Sequence, residues 1–225
     1  MSDHPNELKM RLVEAALVHV AFDGWGAETF EAAVAESGIA PAVAHAICPR
    51  GAVDLAVAYH QDGDARMAAV LAEEDLSEMR FRDRVIHAVK LRLQLCEDKE
   101  VVRRGTTLFA LPQYAAQGSA LIWGSADAIW VALGDTSEDI NWYSKRATLS
   151  AVYGATVLYW LGDDSDGHEA TWAFLERRIE NVMQFEKAKA AFNGSALGKV
   201  LAGPLGALGK VRAPKSASGL PGRWR

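Results

Sequence analysis

Ala27-Glu28-Thr29-Phe30-Glu31-Ala32-Ala33-Val34-Ala35-Glu36-Ser37-Gly38-Ile39-Ala40-Pro41-Ala42-Val43-Ala44-His45-Ala46-Ile47 is the stretch on which the fold turns. A helix from about Ala27 to Glu36 ends at Gly38, and a shorter one begins at Pro41. Glycine closes a helix readily, and proline fits its first turn. Upstream, a helix from about Glu7 to Phe22 sets Leu8, Leu12, Ala15, His19 and Phe22 on one face and stops at Asp23-Gly24. Gly24-Trp25-Gly26 reads as that helix stop, not as a phosphate cradle. Three helices so spaced make a helix-turn-helix.

The helical period continues through the chain. Further helices are expected at about residues 51–75, 80–96, 99–111, 118–133, 141–161 and 168–192, with a last short one from about Ser195 to Lys210, separated by Gly, Pro or acidic breaks. No alternating apolar and polar run makes a convincing strand, so the fold class is all-α, a bundle of about ten helices. The chain has 225 residues, half of them apolar, enough for a sizeable core. Cys48 and Cys96 lack a CxxC partner and read as inert thiols in a reducing compartment. Met1 to Asn6 are polar and lead directly into a helix, unlike a signal or transit peptide, so a bacterial cytoplasmic origin is the simplest expectation.

Charge divides the chain. Of 24 basic and 29 acidic residues, six basic and no acidic ones lie beyond Ala196, leaving 18 − 29 = −11 on residues 1–195. An acidic body is poorly suited to nucleic acid, whereas a basic tail suits an anionic membrane. Three opening helices before a larger helical body match the layout of TetR-type regulators. The reading helix, however, offers one histidine among small apolar residues instead of the Arg, Lys, Asn or Gln that read base edges. A ligand-responsive TetR-type regulator is therefore the alternative function, and no nucleic acid is expected.

Glu138-Asp139-Ile140-Asn141-Trp142-Tyr143-Ser144-Lys145-Arg146 places two aromatics and an arginine at the entrance of a largely apolar helix, the residue types that dominate contact hot spots. This run, with Thr171-Trp172-Ala173-Phe174-Leu175-Glu176-Arg177-Arg178, Val18-His19-Val20-Ala21 and Gly24-Trp25, resembles the ubiquinone biosynthesis protein "Coq nine" family over roughly residues 8–212. The resemblance implies a TetR-fold homodimer that has given up DNA and binds phospholipid and isoprenoid quinone. It implies an accessory protein, not a catalyst, that presents demethoxyubiquinone to a di-iron hydroxylase at the inner membrane. Matched to the family's motif, the partner-binding patch comprises Leu93, Asp127, Ile129, Asp139, Trp142, Tyr143 and Arg146, with Arg146 also at a lipid headgroup. Ile129 stands where the family's methionine is familiar.

The residues support parts of this picture alone. The helix after Asn141 is too apolar for a surface element, and with Tyr153 on it, and Trp123 and Trp130 seven apart on the preceding helix, it suits either a packed core or the lining of an apolar, lipid-binding pocket. Leu197, Val200, Leu201, Leu205 and Leu208 follow helical spacing, with Lys199 and Lys210 off the stripe, as in an interfacial membrane helix. The chain thus divides into 1–50 (helix-turn-helix-like), 51–192 (lipid-binding and dimerisation body) and 195–225 (membrane-binding helix and basic tail). No Glu-x-x-His pair for a di-iron site and no nucleotide-binding glycine motif is present, and no cofactor is expected. Asp163, Asp164, Asp166, His168 and Glu169 read as helix capping better than as a cation loop.

Overall fold

A computed structural model describes residues 4–194. The all-α reading holds there: α1 (Pro5–Asp23), α2 (Ala27–Ser37), α3 (Pro41–Ile47), α4 (Ala52–Glu73), α5 (Phe81–Gln94), α6 (Lys99–Ala110), α7 (Ala115–Ala132), α8 (Ile140–Leu161) and α9 (Glu169–Gly194), with a short 3-10 turn at Asp166–His168. The segment from Ser195 on, and with it Leu197, Lys199, Val200, Leu201, Leu205, Leu208 and Lys210, lies outside the described residues. Among the described residues no helix is long and apolar enough to cross a membrane.

Local chemistry sets the ends. His4 and Glu7 form a reciprocal capping box around Pro5, and the chain leaves α1 at Gly24 with φ +74°. The Thr29 hydroxyl then donates to the Gly24 carbonyl at 2.6 Å, holding α2 against that stop. Gly38, at φ +68°, is the left-handed residue that makes the α2–α3 turn. Asp163 does cap, as expected: its carboxylate accepts from the Ser165 amide and from both the amide and hydroxyl of Thr171. Those bonds hold it well below the usual carboxylate range.

Two cores sit on opposite ends of α4. The first packs Leu12, Val13, Ala16 and Val20 of α1 against Phe30, Val34, Leu55 and Val101. The second joins Met67, Val85, Val89, Leu93, Ile129, Leu149, Tyr153 and Trp160. Two expectations change. The buried stripe of α1 is Leu12, Val13, Ala16 and Val20, while Phe22 is 80% exposed. That helix carries apolar side chains on more than one face, so spacing alone left its rotation open. Helix α7 starts at Ala115, before Gly118, because Gly118 is a contact point and not a break. A Cβ there would stand 2.8 Å from the Phe109 Cβ, so glycine lets α6 and α7 approach.

Candidate functional site

The Trp142–Arg146 motif folds inward. Asp139 caps α8 by accepting from the Asn141 amide at 2.9 Å, which leaves Trp142 and Arg146 one turn apart on the face toward α7. Past the end of α7 the chain turns at Gly134 (φ +78°), with the Asp135 amide reaching back to the Trp130 carbonyl at 2.9 Å and the Gly134 amide to the Val131 carbonyl at 3.0 Å. This turn swings Asp135 beneath α8. Arg146, only 1% exposed, donates through Nε to Asp127 at 2.6 Å, and through Nη1 to Asp135 at 3.0 Å and the Trp142 carbonyl at 3.2 Å. Its guanidinium carbon lies 4.0 Å from the Trp142 ring centroid.

Lys145 joins the same knot, bonding Asp135 at 2.8 Å and the Ser137 hydroxyl at 2.7 Å. Burial opposes ionisation of Asp135, but the hydrogen bonds from Lys145, Ser137 and Arg146 outweigh it and bring its pKa down to about 2. Trp142 is itself buried, tilted against Trp123 at 6.1 Å and edge-on to Tyr143 at 4.8 Å. Of the expected partner patch, Asp139 is exposed and Tyr143 half-buried, whereas Leu93, Asp127, Ile129, Trp142 and Arg146 lie inside the chain. Asp127, Trp142, Tyr143 and Arg146 form one corner; Leu93 and Ile129 sit in the core beyond it.

A cavity of about 300 Å³ opens between α4, α5, α6, α7 and α8. Its walls are mostly apolar: Leu93, Val101, Val102, Phe109, Leu121, Ile122, Val157 and Leu158. One end is polar, with Tyr59, His60, Arg92, Cys96 and Tyr153. Arg92 donates through Nε to Asp64 at 2.7 Å, through Nη2 to the His60 carbonyl at 2.9 Å and through Nη1 to the Cys96 sulfur at 3.4 Å. Ser125 Oγ lies 2.9 Å from the same Asp64 oxygen and 2.8 Å from His60 Nε2. Since one hydroxyl proton serves Asp64, the imidazole donates to the hydroxyl.

Burial opposes the Arg92 charge, but the Asp64 carboxylate, through its charge and its hydrogen bond, outweighs it and holds the guanidinium charged. Burial also lowers the His60 pKa, leaving a neutral ring, and pushes the Tyr59 and Tyr153 phenols up to about 12.

A second cavity of about 420 Å³ lies between α5, α7, α8 and α9, with Trp130 stacked on Phe81 at 5.6 Å and Lys145 beside it. The residues expected to line one lipid pocket therefore separate: Tyr153 lines the first cavity, Trp130 the second, and Trp123 and Arg146 neither. The polar end formed by Tyr59, His60, Asp64, Arg92 and Ser125 was not anticipated. Its signal was present, because Arg92 continues the apolar stripe Val85, Ala88, Val89 and a glycine, Gly63, sits mid-helix in α4.

A family model described as COQ9 matches residues 115–186, the span of α7, α8 and most of the described α9. The chain is 32% identical over 185 residues to the human mitochondrial ubiquinone biosynthesis protein COQ9, covering 79% of this chain and 58% of that protein. The Drosophila melanogaster protein of the same name is 30% identical over 184 residues (80% and 56%), and a probable Dictyostelium discoideum counterpart 29% over 192 (81% and 62%). The chain thus spans less than two thirds of the length of these relatives. A TetR transcriptional regulator from Nitrosomonas europaea superposes with a TM-score of 0.62 at 18% identity, covering 77% of this chain and 97% of that one. That likeness identifies the fold, a TetR-like bundle. The α7–α8 corner carries the family match and the alignments extend it over about four fifths of the chain, so this protein is a relative of the COQ9 family.

Proposed function

We propose that this chain is a non-catalytic accessory protein of ubiquinone biosynthesis. It takes an isoprenoid quinone or phospholipid into the α4–α8 cavity at a membrane surface and presents demethoxyubiquinone to a di-iron hydroxylase. The observation that carries this reading is the apolar cavity of about 300 Å³, roofed by the α7–α8 segment that the COQ9 model matches. A homodimer fits the outer face of α8 and α9, where Tyr159, 40% exposed, stacks on Phe174 at 4.5 Å. Membrane contact is assigned to the basic segment from Ser195, and partner contact to Asp139 and Tyr143, supported from beneath by Trp142 and Arg146.

Mass spectrometry of lipid extracted from purified protein, with pull-down of the hydroxylase, tests both halves. Isoprenoid lipid should co-purify, and Tyr143→Ala should lose the hydroxylase while keeping its helicity. Lipid-free protein would sink the cavity assignment, and wild-type pull-down by Tyr143→Ala would sink the patch.

A further inference from the structure

The lining of the α4–α8 cavity has a direction. Leu158 and Ala110 are exposed and mark its mouth, while Arg92, Leu121 and Tyr153 are buried at its inner end. At that end Arg92 makes three side-chain hydrogen bonds, to Asp64, His60 and Cys96, and a guanidinium carries five N–H groups, so donors remain. The Tyr59 hydroxyl has no hydrogen-bond partner among the described residues, and its ring rests against Trp25 at 5.9 Å. Among the described residues, Arg92 is the one formally charged residue of the lining, and Asp64 already cancels it. No second cation among the described residues lines the cavity to balance an anion, and desolvating an unbalanced charge is costly. Spare donors without spare charge select an uncharged acceptor.

We propose that the inner end is a headgroup subsite in which Tyr59 and Arg92 receive an uncharged, carbonyl-bearing head, while the tail runs outward past Val102, Phe109 and Leu158. This rests on the cavity being the lipid site. Gly63 serves the subsite through Arg92: a Cβ there would stand 2.6 Å from the Arg92 Cζ, so glycine lets the guanidinium lie across α4. Tyr59 is the residue that distinguishes heads.

The full chain is titrated with 2-decyl-1,4-benzoquinone, decylbenzene and decyl phosphate, which share one tail, by displacement of the uncharged fluorophore N-phenyl-1-naphthylamine. The quinone should bind most tightly. Tyr59→Phe should weaken it about 3- to 10-fold, the loss of one hydrogen bond, and leave decylbenzene unchanged, which a folding defect would not do. Equal affinities for quinone and hydrocarbon in the wild type, or an unchanged preference in Tyr59→Phe, would overturn the subsite and leave the lipid cavity standing. Tightest binding of decyl phosphate would make the inner end an anion site and overturn the uncharged head. Failure of all three to bind would overturn the subsite and the cavity's proposed function together.

Discussion

Arg92 and Arg146 are both interior arginines, 4% and 1% exposed, yet their surroundings differ in what they leave unused. Arg146 is enclosed by Asp127, Asp135, the Trp142 carbonyl and the Trp142 ring, and lines neither cavity. Arg92 has one carboxylate partner, Asp64, and borders empty space. A buried charge surrounded by counter-charge fixes a corner; one with a single partner and an open side has donors left for a ligand. The first therefore reads as the architecture beneath the α7–α8 surface, and the second as part of the cavity's chemistry.

The sharpest way to break this contrast is to remove each guanidinium. Arg146→Met takes the cation from buried Asp127, leaves Asp135 with Lys145 alone, and should cost about 3–5 kcal/mol in denaturant unfolding. Arg92→Met leaves Asp64 with the Ser125 hydrogen bond and a neighbouring cavity that can admit water, so the expected loss is smaller, about 2–3 kcal/mol. A larger loss at Arg92 than at Arg146 would reverse the assignment of roles.

Acid should read the Arg146 corner separately. Asp135 falls from its ordinary 3.8 to about 2 in the folded chain, so its stabilisation is complete above pH 4 and is lost as pH drops toward 2. The shift corresponds to about 2 kcal/mol. Asp135→Asn should lower stability at neutral pH and flatten the decline between pH 4 and 2; an unchanged slope would remove Asp135 from the corner's energetics. His60 adds a weaker limb from the other site. Its lowered folded pKa means that stability is retained above about pH 6.5 and falls as pH drops below that value.

Much of this was legible. Helix stops at Gly24 and Gly38 and the unusual run Trp142-Tyr143-Lys145-Arg146 are local signals, and local chemistry writes them plainly. The inward aim of that run was not. Spacing puts Lys145 about 100° from Arg146 on the helix, which suggests separate roles. In the fold both reach Asp135, because the Gly134 turn carries that carboxylate between two long side chains. Asp127 and Asp135 come from another element, and no period within α8 reveals them. Arg92 is the opposite case: its place in the α5 apolar stripe was visible, but its meaning needed His60, Asp64 and Ser125 from α4 and α7.

Two glycines supply the finest test. Gly63 and Gly154 both sit inside helices, where alanine is ordinarily favoured by about 1 kcal/mol. At Gly154 the nearest atom to a new Cβ is the Ile122 Cγ2 at 3.8 Å, an ordinary contact, so Gly154→Ala should stabilise by about 0.5–1 kcal/mol. At Gly63 the new Cβ would meet the Arg92 Cζ at 2.6 Å and both terminal nitrogens at 2.7 Å. The guanidinium must shift, and its bond to Asp64 and the His60 carbonyl weakens with it, so the helical gain should turn into a net loss of about 1–2 kcal/mol. In an Arg92→Met background the clash is gone, and Gly63→Ala should recover most of the helical gain, a coupling that a double-mutant cycle measures. Additive effects of Gly63→Ala and Arg92→Met would mean that the glycine is not kept for the arginine, and the placing of Arg92 across α4 would lose its explanation.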